Sequence, residues 1–208
     1  MNCYSIPVKT RSQVFVCGVD GAGKRSFIST FFPSCRKKRQ TVLQIKNRPQ
    51  KVLVVIILDS IHLQNIAEAN LLQDIKDIVS AEKNIDFSVL IVLGKTDLIY
   101  NRRLVPNLIK DIYQDYKGYL DGLSCARKGF YAFSALATQR TREFLSRKLD
   151  NDDMDDVKDM LVKIGRHLPD DISPESIKQY VINHKRAFAV FSGENHIHLF
   201  LQKWKENL

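Results

Sequence analysis

The stretch from Gln13 to Arg25, QVFVCGVDGAGKR, decides the fold of this chain. Its first half is an apolar run that predicts a short buried strand, and its second half places glycines before Lys24. A strand, such a glycine pattern and then a helix form the context in which G-x-x-x-x-G-K-[ST] loops hold phosphate. The glycines let backbone N–H groups wrap the phosphate, the helix N-terminus adds positive potential, and Lys24 would reach the β- and γ-phosphates.

Arg25 departs from this pattern, because a Ser or Thr should stand there to hold Mg²⁺. Ser26 is no simple replacement, since one helical step turns its side chain by about 100°. A guanidinium at the metal position repels Mg²⁺ and can bind phosphate directly. Arg25 therefore argues against metal-assisted hydrolysis more than against nucleotide binding.

Strands and helices are predicted to alternate after the phosphate loop. Continuous β-branched runs at 51–58 and 88–93 are typical of strands buried on both faces of a parallel sheet. The other predicted elements are strands at 13–18, 41–46 and 130–133 and helices at 24–32, 63–83, 104–120 and 138–149. The 63–83 helix is predicted to bury a stripe made of Leu63, Ile66, Ala67, Leu71, Ile75 and Ile78. This alternation predicts an α/β fold, a three-layer sandwich with a mostly parallel sheet, in residues 1–149.

Residues 150–208 differ from the rest and are predicted to form a helical C-terminal extension packed on the sandwich. The run 150–159 holds six Asp, but it lacks the glycine that a calcium loop needs at its sixth position. Ser173-Pro174 is an N-cap followed by proline, which opens a helix through about residue 184. A last helical stripe, predicted to be core, carries Ile197, Phe200, Leu201 and Trp204.

Charge is unevenly distributed along the 208 residues, whose net charge is +9. Residues 1–51 hold 11 Lys/Arg against Asp20 alone, so the whole excess lies in the first quarter. This basic quarter is a solvated face, a contact for an acidic protein or for DNA, or a nuclear-import signal at 36–39. The four cysteines have no zinc-ligand spacing and read as reduced thiols, and no apolar run approaches the length of a membrane span.

Two later segments resemble the base-recognition loops of the small GTPase superfamily. Gly94-Lys95-Thr96-Asp97 is similar to its Asn-Lys-x-Asp motif with Gly in place of Asn, and Phe133-Ser134-Ala135-Leu136 is similar to its Ser-Ala-x loop. The resemblance covers 13–149. It implies that Asp97 accepts from the guanine N1 and N2 hydrogens, that Lys95 lies over the base and ribose, and that the Ala135 N–H meets the guanine carbonyl.

The candidate nucleotide-binding residues, if binding is retained, come from the phosphate loop and these two segments. They are Gly18, Asp20, Gly21, Gly23, Lys24, Arg25, Ser26, Lys95, Asp97, Ser134 and Ala135. No catalytic residue and no metal ligand is assigned.

The switch segments of that superfamily are predicted to be shortened or lost. No Asp or Glu occurs in 25–58, and Thr41 is the one Thr between residues 33 and 50. The run 51–58 is either the third or the fourth strand of the superfamily. The spacing from Asp59 to Asp97 favours the fourth, and the second switch is then absent. The chain would lack the magnesium ligands and the water-positioning group that phosphoryl transfer needs.

Asn47-Arg48-Pro49 stands before the apolar strand, and Leu63-Gln64-Asn65 opens the next helix. Together with the lost switch segments, these two tripeptides resemble the corresponding segments of the centromere protein M family, pseudo-GTPases of the inner kinetochore. The phosphate loop here is better preserved than that family's usual remnant.

The resemblance implies a nuclear, non-catalytic interaction scaffold with no expected cofactor and no membrane association. Apart from the resemblance, the expected localisation is cytoplasmic. Its implied partners are centromere proteins I, H and K, with acidic protein or DNA near the basic quarter. The alternative is a guanine-nucleotide-binding small-GTPase-like protein that keeps GTP or GDP as a structural ligand. In its enzymatic form it hydrolyses GTP slowly, with Lys24 and Thr41.

Overall fold

A computed structural model describes residues 2–9, 11–35, 38–40, 45, 49–63, 66–96, 105–135, 137–139, 155, 158–159, 172–183 and 193–206. Six strands and five helices are delimited in this part of the chain. The strands are β1 (Asn2–Lys9), β2 (Ser12–Gly18), β3 (Lys38–Gln40), β4 (Lys51–Asp59), β5 (Asp86–Gly94) and β6 (Arg127–Ala132). The helices are α1 (Lys24–Phe31), α2 (Ile66–Ala81), α3 (Val105–Asp121), α4 (Pro174–Asn183) and α5 (Glu194–Glu206).

The strands form one mixed sheet in the order β3-β1-β2-β4-β5-β6. Strands β2, β4, β5 and β6 run parallel, while β1 is antiparallel to both β2 and β3. The sequence-based α/β class with a mostly parallel sheet is therefore confirmed. Parallel strands have their C-terminal ends on the same side of a sheet, so Gly18, Asp59 and Gly94, the last residues of β2, β4 and β5, lie side by side. Open α/β folds bind their ligands at these strand ends.

Helices pack on both faces of the sheet. Alternate residues of β4 and β5 enter two separate core clusters, as expected for strands buried on both sides. The first cluster contains apolar residues of α2 and α3, and the second contains those of α1 and α5. This arrangement accounts for the continuous apolar runs of β4 and β5.

Strands β1 and β3 were not anticipated from the sequence. β1 forms a hairpin with β2, in register from Asn2 opposite Gly18 to Lys9 opposite Ser12. The described residues of β3 pair with Cys3, Tyr4 and Ser5, so Pro7 lies outside that pairing. The predicted strand 41–46 lies outside the described residues except Ile45, which packs against the first cluster.

The buried stripe of α2 differs from the prediction at its start. Ile66 is 82% exposed, and the buried positions are Glu68, Leu71, Ile75 and Val79. Glu68 is tolerated inside because Tyr116 of α3 donates a hydrogen bond of 2.9 Å to its Oε1. Burial, followed by the Glu68 charge, raises the pKa of Tyr116 above its ordinary range. A hydrogen-bonded carboxylate therefore replaces the expected apolar contact.

The first of the two C-terminal helices starts where the sequence placed it. Ser173 Oγ accepts a hydrogen bond from the Ser176 N–H at 3.3 Å and so caps α4. The predicted stripe of α5 is buried in the second cluster. Gly193 precedes α5 at a φ of 71°, and a Cβ there would lie 1.8 Å from the Ala132 carbonyl oxygen, so only glycine fits.

Two sequence-based predictions concern residues that lie mostly outside the described ranges. Of the predicted 138–149 helix, the structure describes residues 138 and 139. Both are helical, as is residue 137. The boundary between residues 149 and 150 likewise stays a prediction. None of the helices in the described ranges is both long and apolar enough to cross a bilayer.

Candidate functional site

The loop from β2 to α1 has the backbone that the glycine pattern predicts. Gly21 and Gly23 have φ values of 83° and 95°, in the left-handed region that favours glycine. Gly18 meets a different requirement, since a Cβ there would lie 2.5 Å from the Ile57 carbonyl oxygen of β4. The three glycines thus let the loop turn tightly and approach the neighbouring strand.

Lys24 folds back on its own loop. Its Nζ donates to the carbonyl oxygens of Gly18 at 2.8 Å and Val19 at 2.5 Å, and lies 3.8 Å from Asp20 Oδ1. Burial lowers the pKa of Lys24, and the Asp20 charge opposes that shift. Since an ammonium has three N–H donors, two internal hydrogen bonds leave one donor for a bound anion.

Arg25 is tied to the first strand. Its Nε donates to Tyr4 Oη at 3.1 Å, and this hydrogen bond lowers the pKa of Tyr4. Arg39 of β3 lies directly opposite Tyr4 in the β1–β3 register. The two strands that the sequence did not reveal therefore bring a phenol and a second guanidinium to the phosphate loop.

These groups line one cavity of about 310 Å³, the phosphate-loop pocket. It is lined by Tyr4, Asp20, Gly21, Gly23, Lys24, Arg25, Ser26 and Arg39. Three cations face one carboxylate, so the pocket favours anions. Across the described residues, no three His, Cys, Asp or Glu side chains are grouped closely enough to hold a metal ion.

Two buried thiols face each other across the β1–β2 hairpin. Cys3 of β1 and Cys17 of β2 are directly opposite in the antiparallel register, and both are buried. The hydrogen bond with Cys3, together with burial, raises the pKa of Cys17. All four cysteines are free thiols.

Lys95 binds a carboxylate of the protein itself. Its Nζ donates to Asp59 Oδ2 at 2.7 Å, and Asp59 is only 4% exposed. The Ile61 N–H donates to Asp59 Oδ1 at 3.1 Å, and His62 Nδ1 lies 3.4 Å from Oδ2. Burial by itself would raise the pKa of Asp59, but these hydrogen bonds outweigh burial and lower it. The lysine predicted to cover a base is thus paired at the end of β4.

Close packing explains the glycine in place of the expected Asn at position 94. A Cβ on Gly94 would lie 2.9 Å from the Ala22 carbonyl oxygen of the phosphate loop and 3.3 Å from the Leu58 carbonyl oxygen. The backbone of β5 therefore rests directly on the loop, which leaves no room for a side chain. Lys95 follows at a φ of 58°, unusual for a residue with a Cβ.

Restoring the superfamily's Asn at position 94 should therefore damage the protein. We expect Gly94→Asn to lower the free energy of unfolding by about 2 kcal/mol, because backbone atoms cannot yield as side chains do. Urea unfolding monitored by circular dichroism measures this. Gly118→Ala, in α3 with open space around its Cβ, is the control and should stabilise by up to about 1 kcal/mol. A Gly94→Asn protein as stable as the parent would contradict the close packing.

The predicted base loop has a structural role in this fold. Ser134 Oγ accepts from the Ala137 N–H at 3.0 Å, and its carbonyl oxygen accepts from Thr138, so Ser134 caps a helical turn. Ala135 lines a shallow cavity beside Arg25 and Ser26. Asp97 lies outside the described residues.

The sequence did not reveal three residues of the site. Tyr4 and Arg39 line the phosphate-loop pocket, and Asp59 is the partner of Lys95. Arg39 belonged to the basic quarter, but nothing assigned its run to a strand. Tyr4 lies in a segment whose alternation is interrupted by Pro7. The spacing from Asp59 to Asp97 bears on the strand order, but it does not predict that Asp59 pairs with Lys95.

The sequence was also compared with known proteins. No model of a protein family matches it, and no curated protein does. The functional argument therefore depends on the residues of the site.

Proposed function

We propose that this chain is a non-catalytic pseudo-GTPase that serves as a protein-interaction scaffold of the inner kinetochore, in the nucleus. The observation that carries the proposal is the Arg25–Tyr4 contact in the phosphate-loop pocket. It puts a hydrogen-bonded guanidinium at the position where a Mg²⁺ ligand belongs. The kinetochore assignment and the partner class rest on the resemblance of 47–49 and 63–65 to the centromere protein M family.

The charges of the pocket support the absence of catalysis. Phosphoryl transfer requires a metal that bridges the phosphates and a group that orients the attacking water. The pocket offers one carboxylate, Asp20, and that group is near the Lys24 ammonium. Tyr4 and Arg39 come from hydrogen-bonded sheet strands rather than from loops that could read a γ-phosphate.

Nucleotide content is the first test. The purified protein is denatured, its supernatant is chromatographed, and the protein is titrated with fluorescent GDP and GTP with and without Mg²⁺. We expect no copurified nucleotide and no GTP hydrolysis above the buffer rate. Mg²⁺-dependent turnover would overturn the proposal and favour a surviving GTPase.

A nucleotide-holding module is the second candidate, favoured by the intact left-handed geometry at Gly21 and Gly23. In this role Arg25 replaces the metal and contacts phosphate directly. Stoichiometric GDP or GTP that survives EDTA would support it over a pure scaffold.

Arg25→Ser distinguishes the scaffold from the nucleotide-holding module, because it completes the G-x-x-x-x-G-K-S pattern. Under the scaffold proposal this variant gains no Mg²⁺-dependent GTP affinity, since the other metal ligands are missing. If Arg25 binds phosphate, the variant should lose about tenfold in Mg²⁺-free affinity, as expected for a lost charged hydrogen bond. Arg11→Ser, at an exposed turn outside the pocket, is the matched control. Mg²⁺-dependent tight binding by Arg25→Ser would contradict both readings.

The partner class has its own test. Recombinant centromere proteins I, H and K from the same source are mixed with the full chain and analysed by size-exclusion chromatography. Co-elution at a fixed stoichiometry, and centromere signal of a fluorescent fusion in cells, are expected. Independent elution at micromolar concentrations would remove the kinetochore assignment and leave only the pseudo-GTPase proposal.

A further inference from the structure

The phosphate-loop pocket is built from two separate parts of the chain. Its glycines, Lys24 and Arg25 follow β2 directly, whereas Tyr4 and Arg39 reach the pocket from β1 and β3. These two strands belong to the antiparallel part of the sheet. The chemistry of a ligand for this pocket therefore has to suit the strand residues as well as the loop.

Tyr4 and Arg39 are placed side by side by the sheet. They are direct partners in the β1–β3 register, and such partners carry their side chains on the same face with Cβ atoms about 5 Å apart. Among the described residues, the Arg39 side chain takes part in no hydrogen bond or ion pair. Its five N–H donors are therefore available to a bound anion.

Arg25 adds a second guanidinium whose orientation is fixed. Its Nε donates to Tyr4 Oη at 3.1 Å, which leaves the four N–H donors of its two Nη atoms. The Tyr4 phenol accepts this hydrogen bond and keeps its own O–H to donate. Planar guanidinium groups bind phosphate oxygens in pairs, so two of them beside a phenol suit a phosphate group. Lys24, held by its own loop, adds positive charge.

The net charge of the lining residues matches a dianion. Lys24, Arg25 and Arg39 against the single carboxylate of Asp20 give a net charge of +2. A phosphate monoester of a protein side chain carries about −1.5 to −2 at pH 7. A nucleoside triphosphate carries more negative charge and depends on Mg²⁺ to neutralise it. The pocket therefore suits a single phosphate group better than a chain of phosphates.

The segments that resemble base-recognition loops are engaged in other contacts. Lys95, which would cover a base, donates to Asp59 at 2.7 Å, and Ser134 caps a helical turn. The pocket itself has a volume of about 310 Å³, at the lower end of the range for small-molecule sites. A ligand held by its phosphate alone is thus favoured over one that also needs a base contact.

We infer that the phosphate-loop pocket binds the dianion of a phosphate monoester without a metal ion, through Arg25, Arg39 and Tyr4. A phosphorylated side chain of a partner protein and a free phosphate share this chemistry. The inference rests on the proposed absence of metal-dependent catalysis, and it names the ligand of the same pocket. In a scaffold, a site of this kind makes docking depend on the phosphorylation of the partner.

Fluorescence polarisation in the presence of EDTA tests the inference. The probe is a short fluorescein-labelled peptide of Gly and Ala with one phosphoserine, titrated against the full chain, and its unphosphorylated form is the control. We expect saturable binding of the phosphorylated probe alone, with displacement by inorganic phosphate. A phosphopeptide affinity at least about tenfold above that of inorganic phosphate assigns the site to a phosphorylated segment. Equal affinities assign it to a free phosphate.

Two neighbouring residues of β3 locate the site. Arg39→Gln should weaken binding of the phosphorylated probe by about tenfold, as expected for a lost charged hydrogen bond. Lys38→Gln removes the same charge from the same strand, but successive side chains of a strand point to opposite faces, so we expect less than a change of about twofold. Tyr4→Phe removes only the hydroxyl and should cost about fivefold. Thermal unfolding of each variant shows that the fold is kept.

The inference and the proposed function fail on different results. No saturable binding of the phosphorylated probe or of inorganic phosphate would overturn the inference and leave the scaffold proposal intact. Equal losses in Arg39→Gln and Lys38→Gln would also overturn it, because attraction to the basic quarter as a whole then explains the binding. So would tighter binding of GDP or GTP than of the probe in EDTA, which favours the nucleotide-holding module. Mg²⁺-dependent GTP turnover, in contrast, overturns the proposed function itself.

Discussion

Replacing Trp204 by alanine is expected to lower the free energy of unfolding by about 4 kcal/mol. Trp204 is 3% exposed and belongs to the core cluster shared by α1, α5 and the second face of the sheet. Removing the indole loses its transfer free energy and leaves a cavity that the packed sheet cannot close. Two further contacts fix α5 here: the Phe31 and His198 rings lie 4.9 Å apart, and Lys205 lies over Phe32.

Leu199→Ala on the same helix is the matched control, since Leu199 is largely exposed and should cost less than about 1 kcal/mol. Urea unfolding followed by circular dichroism measures both variants. The result also bears on the C-terminal extension, because a large loss means that its last helix is part of the domain core. Equal, small losses for both variants would mean that α5 does not contribute to the core.

Replacing Lys95 by methionine is expected to destabilise the protein by about 2–3 kcal/mol at pH 7. This loss of stability is near the lower end of the range for breaking a buried ion pair, because the Lys95 side chain is itself 31% exposed. Methionine keeps most of the side-chain volume, so the loss reports on the charge. Among the described residues, the buried Asp59 carboxylate then keeps the Ile61 N–H and His62 as its partners.

The pH dependence of this effect has a definite sign. Because the pKa of Asp59 is lowered in the folded state, its contribution to stability is fully present above the unfolded value of about 3.9. It is lost as the pH falls through the folded value. The stability difference between wild type and Lys95→Met should therefore be constant near neutrality and shrink as acid protonates Asp59. The shrinkage begins with the variant, whose Asp59 carboxyl keeps the burial that raises its pKa and has lost the Lys95 ammonium that lowers it.

The double variant Lys95→Met/Asp59→Asn provides the control, since it removes the buried charge together with its partner. It should recover much of the lost stability, because a neutral amide costs less to bury than an unpaired carboxylate. A double variant no more stable than Lys95→Met would show that packing, rather than charge, holds this site.

The sequence predicted the parallel half of the fold better than the antiparallel half. Strands β4 and β5 consist of long β-branched runs, which a sheet covered on both faces requires. Strand β1 contains Pro7, and β3 consists of Lys38, Arg39 and Gln40, whose side chains carry no strand signal. β3 arises from pairing with β1, a long-range cause that local patterns do not contain.

The candidate site shows the same division. The phosphate loop was predictable because glycine, lysine and helix start are local in sequence. The pairing of Lys95 with Asp59 was not, because the two residues are adjacent only through the β4–β5 register. The role of Ser134 as a helix cap was hidden by its likeness to a base-recognition loop.

The position of α5 has a consequence for the order in which the protein assembles. The β1–β2 hairpin joins residues close in sequence and can form once residue 18 has left the ribosome. The apolar face built by Phe27, Phe31 and Ile57 has to wait for residues 194–206 to cover it. On a ribosome that adds about 5–20 residues per second, this face stays open for roughly 9–35 seconds after α1 is made. Nascent chains are therefore expected to need a chaperone at this face until the last helix docks.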